Sequence, residues 1–217
     1  MSAPLTKSAI LFEQRLLACG GFYKGALDSL WGPKSEAAAQ ASLASYEALK
    51  KKYGALDLRS ERNIATLLPK MQEKARIIMV EALKWGKPKG LTCQVLSGTR
   101  SYAEQDAIYA QGRSTKGNIV TNARGGQSNH NFAIAIDLGL FRGMEYLTGM
   151  KSNKVSAKQA ALDSQAYIDL GKLITGLVEI DWGGNWKSTK DTPHYEYPTG
   201  LSISQKRAQF EKGLLRL

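Results

Sequence analysis

The chain has 217 residues, 43% hydrophobic and 23% charged, long enough to bury a core without disulfide staples, and its two cysteines fit neither a disulfide framework nor a Cys-x-x-Cys metal site. Cys19 and Cys93 read instead as buried thiols of a chain made in a reducing cytoplasm. The formal charge of +11 is spread along the sequence, so it admits an anionic cell wall, an anionic membrane surface or nucleic acid, and does not choose among them alone.

The opening residues, MSAPLTKSAILFEQRLLACGG, place one basic residue ahead of an apolar run broken by Glu13 and Arg15. No secretory signal is expected there, and no stretch reaches the roughly eighteen apolar residues of a membrane span. Residues 6–19 read as an amphipathic helix ended by Gly20-Gly21. A turn region follows, and Pro33 suits the first turn of a second, Ala-rich helix from Lys34 to about Lys52 that stops at Gly54. The stretch Gly25-Ala-Leu-Asp28-Ser-Leu-Trp31-Gly32-Pro33-Lys-Ser-Glu36 resembles the core of the small three-helix peptidoglycan-binding domain of cell-wall hydrolases. The resemblance implies a wall-binding domain over residues 1–54, with Asp28 and Trp31 as candidate wall contacts. Each has a plain structural alternative, Asp28 closing an Asx turn and Trp31 packing between helices.

Residues 55–66 are polar and read as a linker or short connecting helix, and 67–217 as a second domain that begins with an amphipathic helix over Leu67–Trp85. A short strand is expected over Leu91–Leu96, then a helix over Tyr102–Gln111 opened by the capping box Ser101-x-x-Glu104. A second capping box, Ser156-x-x-Gln159, is expected to open a helix running to about Val178. Phe132 to Gly139 alternates, with Phe132, Ile134, Ile136 and Leu138 on one face and Ala133, Ala135, Asp137 and Gly139 on the other, which puts Asp137 on a face cleared by small residues. Asp191-Thr-Pro-His194-Tyr-Glu196-Tyr-Pro198 reads as a short strand bounded by prolines. The fold class expected is α+β, a small antiparallel sheet with flanking helices preceded by a small three-helix domain.

The only two histidines, His130 and His194, both stand near carboxylates at ligand spacing. Two imidazoles and one carboxylate make a zinc site with one position left open, and a further carboxylate can serve as base. Ser128-x-His130-x6-Asp137 with Asp191-x-x-His194, preceded by Trp182-Gly-Gly-Asn-Trp186, resembles the zinc peptidases that include D-Ala-D-Ala carboxypeptidases and phage L-alanyl-D-glutamate endopeptidases. The segment Ser97 to Arg113 resembles the endopeptidase branch. The resemblance implies that His130, Asp137 and His194 bind Zn2+, that Asp191 is the general base and that Arg100 stabilises the developing oxyanion. Glu196 and Asp181 compete with Asp191 for the base role. Ser128 either orients a ligand or binds substrate through its hydroxyl, or it caps a turn; Gln105 and Tyr109 line either the cleft or the core. Two positions depart from the family pattern: Ala133 replaces the usual glycine, a mild change if the backbone is extended, and Asn185 replaces an acidic residue.

These resemblances imply an endolysin that cuts the L-Ala–D-Glu bond of peptidoglycan, made in a host cytoplasm, released through a membrane hole and acting as a monomer. Its positive charge suits the wall and a possible contact with an anionic outer envelope. A D-Ala-D-Ala carboxypeptidase, or a non-catalytic wall-binding zinc protein, are the alternatives; no nucleic-acid motif is present. The basic segment 201–217 reads as a packed C-terminal helix, or as one that perturbs a membrane.

Overall fold

The computed structural model describes residues 6–149 and 155–217, and the first five residues of the expected wall-binding unit lie outside that range. Helix α1 (Lys7–Cys19) starts where Thr6 Oγ1 accepts the Ala9 N–H, and α2 (Pro33–Tyr53) starts on Pro33 and ends at Gly54 with φ 87°. There the chain needs the left-handed freedom of glycine, and Lys50, Lys51 and Lys52 crowd the carbonyl end of the helix dipole. Helix α3 (Leu58–Ala65) occupies the expected linker, so the described part of 1–54 holds two helices and the third follows Gly54. Asp57 caps α3, accepting from the Arg59 and Ser60 N–H groups.

Helix α4 (Pro69–Gly86) is followed by β1 (Leu91–Ser97), α5 (Tyr102–Ala110), β2 (Ala135–Arg142), β3 (Glu145–Tyr146), α6 (Ala157–Leu177), β4 (Asp181–Trp182), β5 (His194–Glu196) and α7 (Ile203–Glu211). The full reciprocal capping box at Ser101 and Glu104 forms as expected. At Ser156 only half of one does: its hydroxyl accepts from Gln159 N, while the Gln159 side chain turns to Asp163.

The strands form one antiparallel sheet in the order β1-β2-β5-β4, with β3 pairing on β2. Ile136, Leu138 and Leu140 of β2 and Val95 of β1 are fully or almost fully buried against Met71, Ala75, Ile78 and Met79 of α4 and Leu170 and Ile174 of α6. The opposite face of β2 carries Ala135, Asp137 and Gly139, as the alternation requires. A bulge between Val95 and Ser97 lays Leu96 over Gly139, where a Cβ would come 2.5 Å from a Leu96 methyl carbon.

The alternation misleads over its first half. Asn129–Phe132 is a 3-10 turn and Ala133 is left-handed at φ 58°, ψ 34°, not extended. Phe132 and Ile134 consequently fill a different core, with Cys19, Phe210 and Leu215. Alanine for glycine at 133 therefore carries the left-handed steric cost, about 1–2 kcal/mol, and is held there by full burial.

Helices α1 and α2 pack onto this body. Phe12 of α1 meets Phe210 of α7 with ring centroids 5.5 Å apart, and Arg15 Nε donates to the Glu211 carbonyl at 3.2 Å. Tyr46 of α2 is part of the main core and donates its hydroxyl to Glu61 of α3, which in turn pairs with Arg76 of α4 at 2.7 Å. Segment 201–217 contains α7, and Phe210 and Leu215 are wholly buried. Among the described residues no helix is long and apolar enough to cross a membrane.

Trp182 is fixed between two glycines: a Cβ at Gly171 of α6 would stand 2.1 Å from its ring and one at Gly184 2.2 Å. Its Nε1 donates to the Thr192 carbonyl at 2.8 Å, so the indole cannot slide away freely. Gly171→Ala is expected to cost about 1–3 kcal/mol through overpacking, read as a lowered melting temperature; an unchanged melt would mean that the indole has room the packing denies it.

Candidate metal centre

Sheet register assembles the first pair of ligands: Asp137 of β2 stands directly opposite His194 of β5. His130 comes from the 3-10 turn just before β2, and its carbonyl accepts the Arg100 N–H at 3.1 Å, which ties the turn to the loop after β1. Buried Asn131 reinforces that tie, donating to the Arg100 carbonyl at 2.9 Å and accepting from Gly126 N. Ser128 caps the same turn through its hydroxyl, which accepts from His130 N, so its structural reading is realised.

His130, Asp137 and His194 offer ligand atoms all within 4.8 Å of one another. His130 Nε2 lies 3.3 Å and His194 Nδ1 3.0 Å from Asp137 Oδ1. Ligands about 2.0–2.1 Å from a tetrahedral zinc stand roughly 3.3 Å apart, so the donor set and its spacing fit that ion. The far nitrogen of each ring is already committed. His130 Nδ1 donates to the Gly98 carbonyl at 2.7 Å and His194 Nε2 to Glu196 Oε2 at 2.8 Å, so the nitrogens on the Asp137 side, His130 Nε2 and His194 Nδ1, are the ones that would give lone pairs to the ion. Burial works against charge on His194, yet its hydrogen bonds to Asp137 and Glu196 push it up to about 9. Burial likewise opposes the charge of Asp137, and His130 and His194 still hold it well below the usual carboxylate range.

Asp191 lies in the turn leading into β5. Its N–H donates to Gly183 O at 3.1 Å, and its own carbonyl would sit 2.4 Å from a Cβ at Gly183, so the glycine permits the approach. Burial raises its carboxyl above the usual value and the charge of Asp137 adds to this, with His194, His130 and Arg100 working against it. The rival carboxylates are placed elsewhere. Glu196 sits behind His194, on the ring nitrogen that faces away from Asp137. Asp181, opposite Glu196 in the register, is exposed and feels Glu196 and Lys206.

Arg100 reaches to 3.7 Å from Asp137 Oδ2, and its Nε is buried without a hydrogen-bond partner among the described residues. Burial disfavours its charge, while Asp137, Asp191 and Glu104 favour it. Trp186, which carried no separate role in the sequence, stands with its ring centroid 5.1 Å from that of His194. Gln105 is wholly buried and donates to Ala123 O at 2.9 Å and Thr121 Oγ1 at 3.4 Å, anchoring the loop before the metal turn. Tyr109 lies under the guanidinium groups of Arg113 and Arg124, at 4.0 and 4.9 Å. Asp28 accepts from Gln14 Nε2 and Leu30 N, the Asx-turn arrangement, while Trp31 is 37% exposed and donates Nε1 to Glu36.

Residues 121–197, which hold the three ligands and Asp191, match the family model of peptidases described as D-alanyl-D-alanine carboxypeptidase. The peptidoglycan L-alanyl-D-glutamate endopeptidase CwlK of Bacillus subtilis is 40% identical over 115 residues, covering 50% of this chain and 62% of that protein. The chain thus spans about three-fifths of the length of this relative. The crystal structure of the Serratia marcescens L-Ala D-Glu endopeptidase ChiX aligns over 66% of this chain and 89% of its own at 21% identity, with a TM-score of 0.38.

Proposed function

We propose that the protein is a zinc-dependent peptidoglycan endopeptidase that hydrolyses the L-Ala–D-Glu bond of the peptide stem. The observation that carries this reading is the convergence of His130 Nε2, Asp137 Oδ1 and His194 Nδ1, with Asp191 and Arg100 beside them and, among the described residues, no fourth protein ligand in the group. Three ligands leave a coordination position open, the mark of a catalytic and not a structural zinc site. This weighs against the non-catalytic wall-binding alternative.

His130, Asp137 and His194 would hold the ion. When bound, zinc supplies Lewis acidity that polarises the scissile carbonyl and brings the pKa of a water ligand near 7. Asp191 accepts a proton from the attacking water as its oxygen adds to the L-Ala carbonyl carbon, and delivers it to the D-Glu nitrogen as the C–N bond breaks. Arg100 offers a permanent cation beside the ligand set to the oxygen on which negative charge grows. Trp186 packs its ring against that of His194.

The choice of bond follows the 40% identical relative, whose name states that activity. The family model carries a different description, and a D-Ala-D-Ala carboxypeptidase is the second reading it favours. Mass analysis of a purified peptidoglycan digest separates the two: new N-terminal D-Glu amines are expected, and free D-Ala in their place would overturn the endopeptidase assignment. We further propose that the N-terminal helices target the enzyme to the wall, with exposed Leu30 and Trp31 as the contact, and that cleavage serves lysis of a bacterial host by a phage. The +11 charge supports attraction to an anionic envelope.

A further inference from the structure

We propose that Glu196, held by Asn129 and by Lys206 of the C-terminal helix, is the positioning residue that fixes the orientation and tautomer of the metal ligand His194. The inference rests on the zinc reading above and extends it to residues outside the ligand set.

The argument begins from the two rings. His130 is oriented by a backbone carbonyl, Gly98 O, which no side-chain substitution removes. His194 is oriented by a side chain: Glu196 Oε2 accepts from its Nε2 at 2.8 Å. A carboxylate can only accept in such a contact, so Nε2 keeps its proton and Nδ1, on the side of Asp137, is the nitrogen that would give its lone pair to zinc. A free glutamate on a three-residue strand would have several rotamers. This one has been left few, because Oε2 also accepts from Asn129 Nδ2 at 2.5 Å and Oε1 lies 3.8 Å from Lys206 Nζ.

Lys206 is 5% exposed, which is rare for a lysine unless its charge is matched. Its ammonium donates to Asn129 Oδ1 at 3.0 Å as well as facing Glu196, so Asn129 is gripped at both ends of its amide. Asn129 immediately precedes His130, and Glu196 follows His194 by two positions. A single buried cation on α7 therefore braces the neighbours of both imidazole ligands. Burying a lysine, a glutamate and an asparagine together is a costly use of interior space, and a positioning role for the histidine accounts for it.

The test is zinc affinity, measured by competition with a chromophoric chelator at fixed pH, alongside the melting temperature of the zinc-free protein. Glu196→Gln should weaken zinc binding roughly 10–100-fold, the usual consequence of losing such a carboxylate, and shift the visible absorption of the cobalt-substituted protein. A merely structural residue would lower the melt and leave the affinity and the spectrum alone. Because Glu196→Gln strands the Lys206 charge, the double variant Glu196→Gln/Lys206→Met removes both charges and should still bind zinc at least tenfold more weakly than the unaltered protein. Affinities within twofold of the unaltered protein in both variants would overturn the proposal while leaving the zinc enzyme intact. An unaltered protein that takes up no zinc would instead remove the function reading on which the proposal stands.

Discussion

Asp191→Ala is expected to lower turnover of purified peptidoglycan by about a hundredfold to ten-thousandfold while the protein keeps its zinc. The size follows from the role: a positioned carboxylate that accepts the proton of water and hands it to the leaving nitrogen has no substitute once removed, because water must then perform both transfers. Zinc retention follows from the geometry, since the three converging ligand atoms belong to His130, Asp137 and His194. Asp191→Asn is the sharper version. It keeps the size of the side chain and its place next to Gly183, and removes only the basicity. Turnover and metal content of the same preparations decide the matter. A variant that turns over normally would move the base elsewhere, and one that loses zinc would make Asp191 a ligand.

What the sequence could convey about this site depended on how local each cause was. That Asp137 and His194 each lie in a short extended segment was legible from the alternation and the flanking prolines, whereas the sheet register that brings the two face to face was not. The helices were legible from period and caps, and α4 and α5 fall within one or two residues of expectation. The 132–134 stretch was not, because apolar residues that alternate by chance across a turn look like a strand until the backbone at Ala133 reverses hand. Lys206 gave no signal at all. On an amphipathic helix a lysine looks like solvent-facing charge, and only tertiary packing turns it inward to Asn129 and Glu196. Gln105, which the sequence left between cleft and core, is wholly buried and spent on holding the 121–123 loop.

The stretch 55–66 was the least legible of all, since its polarity reads as a connection while its Glu61 is the partner of a buried cation. Arg76 of α4 has a side chain with no exposed surface, and its guanidinium meets Glu61 at 2.7 Å, the Gly54 carbonyl at 3.1 Å and the face of Tyr46 at 4.9 Å. Glu61 also accepts from Leu56 N at 2.7 Å, so one carboxylate joins α2, α3 and α4. Glu61→Gln preserves the shape and strands the cation, and the expected loss is about 3–5 kcal/mol, a large part of a typical stability of about 5–15 kcal/mol. For a chain of this size that lowers the melting temperature by on the order of 10 °C. The sign with pH is also fixed. Burial opposes the charge of Glu61, but the hydrogen bonds from Arg76 and Tyr46 hold its pKa below the ordinary glutamate value. Its contribution is therefore present above that ordinary value and is lost as pH falls through the depressed one, so the gap between variant and unaltered protein should be wide at neutral pH and close in acid. Glu61→Gln/Arg76→Met, with no charge left to strand, should recover much of the loss. A single variant that melts within 1 °C of the unaltered protein would make α3 the mere connection its composition suggests, whereas the expected drop would make the N-terminal helices part of the body that carries the metal centre.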